Sequence, residues 1–320
     1  MKGYTALRNL YGSLTNNTAS SNLTLGDQLI NQSIRTIATL NNGNWWWLEK
    51  TYDVTTVASQ NGYEIPNIIR KLIDLYITVG TQIYMPEAVF DADKWKLVLA
   101  YKLGTSDVPR FYYRMGNKVY FSPITASNGN TITFRGRINI RDLNTADYTT
   151  GTVTSIANGT TTLVANGTAF TADMAGRYIR ITQTSAAGGG DGYWYEIASI
   201  TNATTLELVK PYQGTTLAAA TAAYTISQVS LIPESYDDAP VFRAAAIYWT
   251  QQKDLNIAKT FWMMYDGGKE AGYSREYGGL IGNMIEENSE TVEGMYTNPF
   301  ASNVNSIDPN WPQPTASGPF

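Results

Sequence analysis

The chain contains neither histidine nor cysteine. Without cysteine there is no disulfide framework and no thiolate nucleophile. Without histidine the commonest general base and the commonest metal ligand are lost together. No cofactor, no metal and no enzymatic activity are therefore expected. Charge is also scarce: 16% of residues are charged, against about 25% in an ordinary globular protein. The net charge of −4 argues against a tight, sequence-independent grip on nucleic acid, which needs clustered Lys and Arg. No run approaches the roughly 20 apolar residues of a membrane span. Met1-Lys2-Gly3-Tyr4 opens a polar amphipathic stretch without the apolar core of a secretory signal, so a soluble protein made in the cytoplasm is expected. Gly267-Gly268-Lys269 lacks the spacing and the hydroxyl of a phosphate loop.

What is present is an ordinary apolar share of 43% over 320 residues, rich in Asn, Thr, Gly, Ala and Tyr. That length allows two domains of about 100–200 residues each. The strongest helical pattern lies at 234–277. Glu234, Asp237 and Asp238 load its approach with negative charge, and Pro240 places the regular helix at or just before itself. Val241, Ala245, Tyr248, Leu255, Ala258 and Trp262 then recur at three- and four-residue steps. Ala244, Ala245 and Ala246 would let another backbone come close. Whether this is one bent helix or a hairpin capped at Asp254 or Asn256 stays open.

Earlier in the chain, 4–14 reads as a short amphipathic helix and 25–40 as a second, with Thr24 as its N-cap and Asp27 three residues on. Trp45-Trp46-Trp47 begins a strand reading in which neighbouring rings point to opposite faces, so the three cannot share one core. One face could then pack on another subunit, where tryptophan is enriched. Asn61-Gly62 signals a hairpin, and 67–83 reads as strand on its β-branched content. Asp91 and Asp93 are expected to cap a short helix rather than to bind metal. Tyr113, Met115, Val119 and Phe121 alternate about a turn at Gly116-Asn117. Arg135, Arg137 and Arg141 alternate on the next strand, where pairing with carboxylates across a subunit boundary is the favoured reading.

At 149–228 the composition shifts to Thr, Ala, Gly, Ser and Asn, with short strands at even spacing, as in a small β-sandwich or barrel. The chain then returns to the helical stretch. An α+β fold follows, with a discontinuous body of 1–148 and 229–294 and an inserted all-β domain at 149–228. Trp194 and Tyr195 are expected to serve ordinary strand packing rather than a carbohydrate platform. Glu196, Glu207, Glu286 and Glu287 form no convincing glycosidase pair. Five of the twelve prolines fall in 295–320, which reads as an extended arm with Phe300, Trp311 and Phe320 as possible anchors.

The opening Ile232-Pro233-Glu234-Ser235-Tyr236-Asp237-Asp238-Ala239 and the Ala-rich helix after it resemble the helical core of phage head-to-tail adaptor proteins. The segments at 167–181 and 191–208, with Arg177, Tyr195 and Thr205-Leu206 in register, are similar to a small β module of phage virion proteins. The resemblance implies a helical-bundle body and a cyclic ring of twelve copies in the virion. That ring would sit between the portal protein and the tail tube or nozzle, with DNA passing through its lumen unread. Contacts with neighbours would fall on Trp45, Trp46, Trp47, Arg135, Arg137, Phe300, Trp311 and Phe320. A different expectation treats 150–228 as a carbohydrate- or protein-binding module of a tail fibre or baseplate.

Overall fold

The computed structural model describes residues 1–101, 104–183, 189–218 and 221–296. The expected arm anchors Phe300, Trp311 and Phe320 lie outside the described residues. The helices are α1 (Tyr4–Leu14), α2 (Ser20–Thr39), α3 (Ala92–Ala100), α4 (Ala239–Gln251), α5 (Leu255–Asp266) and α6 (Gly279–Tyr296). The body strands are β1 (Glu49–Thr55), β2 (Gly62–Glu64), β3 (Ile69–Val79), β4 (Gln82–Tyr84), β5 (Glu87–Val89), β6 (Phe111–Met115), β7 (Lys118–Ser122) and β8 (Thr131–Ile138). After them come β9 (Thr152–Ser155), β10 (Thr162–Asn166), β11 (Tyr178–Ile181), β12 (Trp194–Asn202), β13 (Thr205–Leu208) and β14 (Tyr224–Ser227). The protein is thus mixed α+β.

The stretch at 234–277 resolves into two helices. Ala239 opens α4 with Pro240 in its first turn, and α5 starts at an Asp254 side chain that accepts from the Ile257 N–H at 3.2 Å. Ala244, Ala245 and Ala246 are fully buried, which lets α4 pack closely on α1, α2 and α5. One hydrophobic core runs through α1, α2, α4, α5 and α6, although the first two helices and the last three lie at opposite ends of the sequence.

Two small sheets pack over a second core. One has the order β1-β8-β3-β4 and the other β2-β7-β6-β5. Ile77, Val119, Phe121, Ile132 and Phe134 are almost wholly buried between them. Strand alternation explains this: Ile132 and Phe134 point inward while Thr131 and Arg135 point away. Gly136 sits in β8 because β3 comes too near for a side chain. A Cβ there would lie 2.5 Å from Ile69 Cγ2 and 2.7 Å from the Lys71 carbonyl oxygen. Gly136→Ala is therefore expected to cost about 2 kcal/mol in urea unfolding. A change below about 0.5 kcal/mol, the size of an ordinary surface substitution, would show that β3 moves aside freely.

The remaining strands form one six-stranded sheet, β14-β11-β12-β13-β10-β9, over a third core that includes Leu163, Ile197, Leu206 and Ile226. The sheet curls round on itself. Val153 and Ala222 exchange both backbone hydrogen bonds at 2.9 and 3.1 Å, and Ile156 and Leu217 do so at 3.1 and 2.8 Å. It is a single barrel-like sheet, without the two stacked layers of a sandwich.

Several expectations need correction. The tryptophan triplet is not in a strand: Trp46–Leu48 form a tight turn and β1 starts at Glu49. Asn61-Gly62 makes no hairpin, because β1 pairs with β8 while β2 pairs with β7 in the other sheet. The second helix begins at Ser20 rather than 25, and the Thr24 hydroxyl donates to the Ser20 carbonyl within it instead of capping. The helical region does not end at 277: Gly278-Gly279 leads into α6, which crosses the boundary expected at 294 and buries Ile281, Met284 and Asn288.

Candidate interaction surfaces

Trp45 is wholly buried, and its indole N–H donates to the Ile37 carbonyl in the last turn of α2 at 2.7 Å. The Trp47 ring stacks on it at 6.2 Å and the Trp46 ring meets it edge-on at 6.3 Å. All three rings therefore serve the one helical core, contrary to the alternation a strand would impose. The Trp46 backbone N–H also donates to Asn288 on α6 at 3.3 Å.

Arg135 bonds inside its own sheet. Its Nε donates to Glu49 at 2.6 Å and its Nη1 to Asp74 at 3.2 Å. These carboxylates stand on β1 and β3, the two strands flanking β8, so the expected pairing across a subunit boundary is met within one chain. Arg137 donates to Asn44, and its buried Nε lacks a hydrogen-bond partner.

The barrel meets the body along a cleft of about 270 Å³ lined by Tyr52, Arg141, Arg177, Tyr178 and Leu231, among others. Lys50 on β1 crosses this cleft to Glu196 on β12 at 2.7 Å, and the Tyr178 hydroxyl lies 3.3 Å from both. Burial, followed by the Glu196 charge, pushes the Tyr178 hydroxyl up from its ordinary value. Arg177, from the recognised module, pairs with Asp173.

The N-terminal segment 1–3 closes the other side. Gly3 bridges to Val229, and the Tyr4 N–H donates to the Gln228 carbonyl at 2.9 Å. The Trp194 indole donates to the Met1 carbonyl at 2.7 Å, while the Arg180 guanidinium lies 5.1 Å over its ring. Lys2 reaches Asp237 at 3.4 Å and pairs with Asp238. Burial pushes the Asp237 carboxyl up, against the pull of Lys2. Trp194 is thus occupied at the junction, which is the packing role expected of it rather than an open stacking surface for a sugar. Tyr195 is buried and accepts from the Gln213 N–H at 3.1 Å.

Glu207 accepts from the Thr161 hydroxyl at 2.9 Å, and Asp91 caps α3 by accepting from the Asp93 N–H at 2.8 Å. Glu286 and Glu287 lie on α6. Among the described residues no three His, Cys, Asp or Glu come together to hold a metal ion. No helix among them is long and apolar enough to cross a membrane. What sequence reading missed is a run of exposed apolar side chains from Ile83 to Tyr101. The signal was there: Trp95 and Val98 are enough to seat α3, leaving Leu97 and Leu99 in excess of one buried face.

The described residues thus form a mixed α+β scaffold with exposed apolar side chains along 83–101. Residues 4–159 are similar to the family described as SU10 adaptor protein, which suggests a structural adaptor of a phage virion. The matched region takes in α1, α2, both body sheets and the start of the barrel. No curated protein matches the chain.

Proposed function

We propose that this protein is a head-to-tail adaptor of a tailed phage. Twelve copies would form a ring between the portal and the tail tube or nozzle, enclosing a channel through which DNA passes unread. The role is mechanical rather than catalytic. The similarity of residues 4–159 to an adaptor family is the observation that carries it. The shared core of early and late helices supports it, since it joins those helices into a single rigid unit despite the barrel between them. The low net charge of −4 suits a lumen that must not hold DNA.

Negative-stain imaging of the purified chain mixed with its portal tests the reading. Coaxial double rings are expected; a chain that never forms rings and never decorates portals overturns it. A second variant, cut after Tyr296, tests whether the remaining residues with Phe300, Trp311 and Phe320 dock on a neighbour. Loss of head-to-tail joining in assembled particles is expected, and normal joining removes the arm from the proposal.

A further inference from the structure

We infer that the ring joint is a head-to-tail contact in which the segment 83–101 of one copy lies on the outer face of α5 of the next. This rests on the ring reading above and adds to it the two surfaces that meet.

The first surface is built where the edges of both body sheets follow each other along the chain. β4 is the edge strand of one sheet and β5 of the other. Edge strands and exposed apolar side chains together make a surface that natural proteins ordinarily blunt or cover. Here Phe90 is 91% exposed, Tyr101 78%, Met85 77%, Leu97 63%, Ile83 62% and Leu99 50%. At roughly 200 Å² for a large side chain, the exposed area along the segment sums to about 800 Å², comparable in size to one partner's share of a standard interface. The segment is nonetheless well ordered: Asp91 caps α3, and Trp95 stacks on Tyr113 at 5.6 Å to hold the helix against the sheet.

The second surface lies on the helical core. Ala258, Trp262 and Tyr265 turn α5 inward, which leaves Leu255, Met263 and Met264 on its outer side. Tyr273 and Tyr277 extend the patch beyond the helix, with Lys259 5.2 Å over the first ring and Lys269 3.7 Å over the second.

Two unlike patches on different regions of one chain fit a heterologous contact, in which each covers the other and repetition closes a ring. Charge points the same way. Glu87, Asp91 and Asp93 fringe the first surface beside Lys94 and Lys96, the latter paired with Asp93 at 2.8 Å, which leaves a slight acidic excess. Lys253, Lys259, Lys269 and Arg275 fringe the second beside Asp254 and Glu276, with Glu270 already paired with Arg243, which leaves a basic excess. A two-fold dimer of first surface on first would leave α5 bare.

The cysteine-free chain allows a direct test. Leu97→Cys and Met263→Cys would be made singly in the full chain, mixed in equal amounts and mildly oxidised. A cross-linked pair is expected from the mixture and little from either variant alone; a chain carrying both should give a ladder ending in a closed species. Self-linking of the Leu97→Cys variant alone overturns the head-to-tail arrangement. Rings seen by imaging but without cross-links overturn the chosen surfaces while the ring reading stands. A chain that stays monomeric with and without portal overturns both. As a check independent of oxidation, Leu97→Asp should lower the ring-forming fraction by about tenfold or more with no change in the urea midpoint. An unchanged ring fraction counts against the joint.

Discussion

Trp45→Ala is expected to cost about 4 kcal/mol of stability, the range for emptying a large aromatic from a closed core. With total stabilities of about 5–15 kcal/mol, that loss threatens the fold at physiological temperature. Three contributions go together: the buried indole, its stacking with Trp47, and its hydrogen bond to the Ile37 carbonyl at 2.7 Å. The last adds a second donor to a carbonyl in the final turn of α2 that already accepts from the Leu40 N–H. Trp45→Phe keeps an aromatic ring but loses the donor and the five-membered part of the indole, for about 2–3 kcal/mol. Urea unfolding of the two variants checks the order. A Trp45→Ala loss below about 1 kcal/mol, well under the usual range, would place Trp45 outside the structural core.

Glu270→Ala should be nearly as damaging. Arg243 is buried on α4, and it grips Glu270 with two nitrogens, one at 2.9 Å, while its third nitrogen reaches Ser33 on α2 at 3.4 Å. Removing the carboxylate strands a guanidinium inside the helical core. Breaking a buried pair typically costs about 3–5 kcal/mol. Because Glu270 is itself about a third exposed, roughly 2–3 kcal/mol is the expected share. The apolar double variant Arg243→Met with Glu270→Met should recover much of that loss, because no unpaired charge remains. A double variant worse than Glu270→Ala would show that the pair stabilises by its attraction rather than by avoiding a stranded charge.

The helical stretch of α4 and α5 was legible in the sequence because its apolar steps coincide with a proline at the helix start, whereas its division into two helices was settled only by the Asp254 cap. Strands β3, β6, β7 and β8 were legible from alternation and β-branched content. The misreadings share a cause. Trp45, Trp46 and Trp47 have the composition of a strand, yet their path is fixed by docking onto α2, a contact 8 residues back for the indole of Trp45. Asn61-Gly62 carries a local turn signal, but its flanking strands are claimed by different sheets. Two glycines and a run of glutamates disguised α6, although Ile281 and Met284 are fully buried. Of the apolar residues from Ile83 to Tyr101, Leu97 and Leu99 were visibly in excess of the one face that seats α3, whereas Ile83, Met85 and Phe90 were not, since spacing alone cannot separate side chains that fill their own core from those left exposed.

The way the barrel is joined to the body bears on which changes of length it tolerates. Tyr148 and Ile226 exchange backbone hydrogen bonds, each at 2.8 Å, so the polypeptide goes out and comes back through a single doorway. A change of length between those two residues need not separate the two ends of the doorway, but it would cost the contacts of Glu196 with Lys50 and of Trp194 with the Met1 carbonyl that also tie barrel to body.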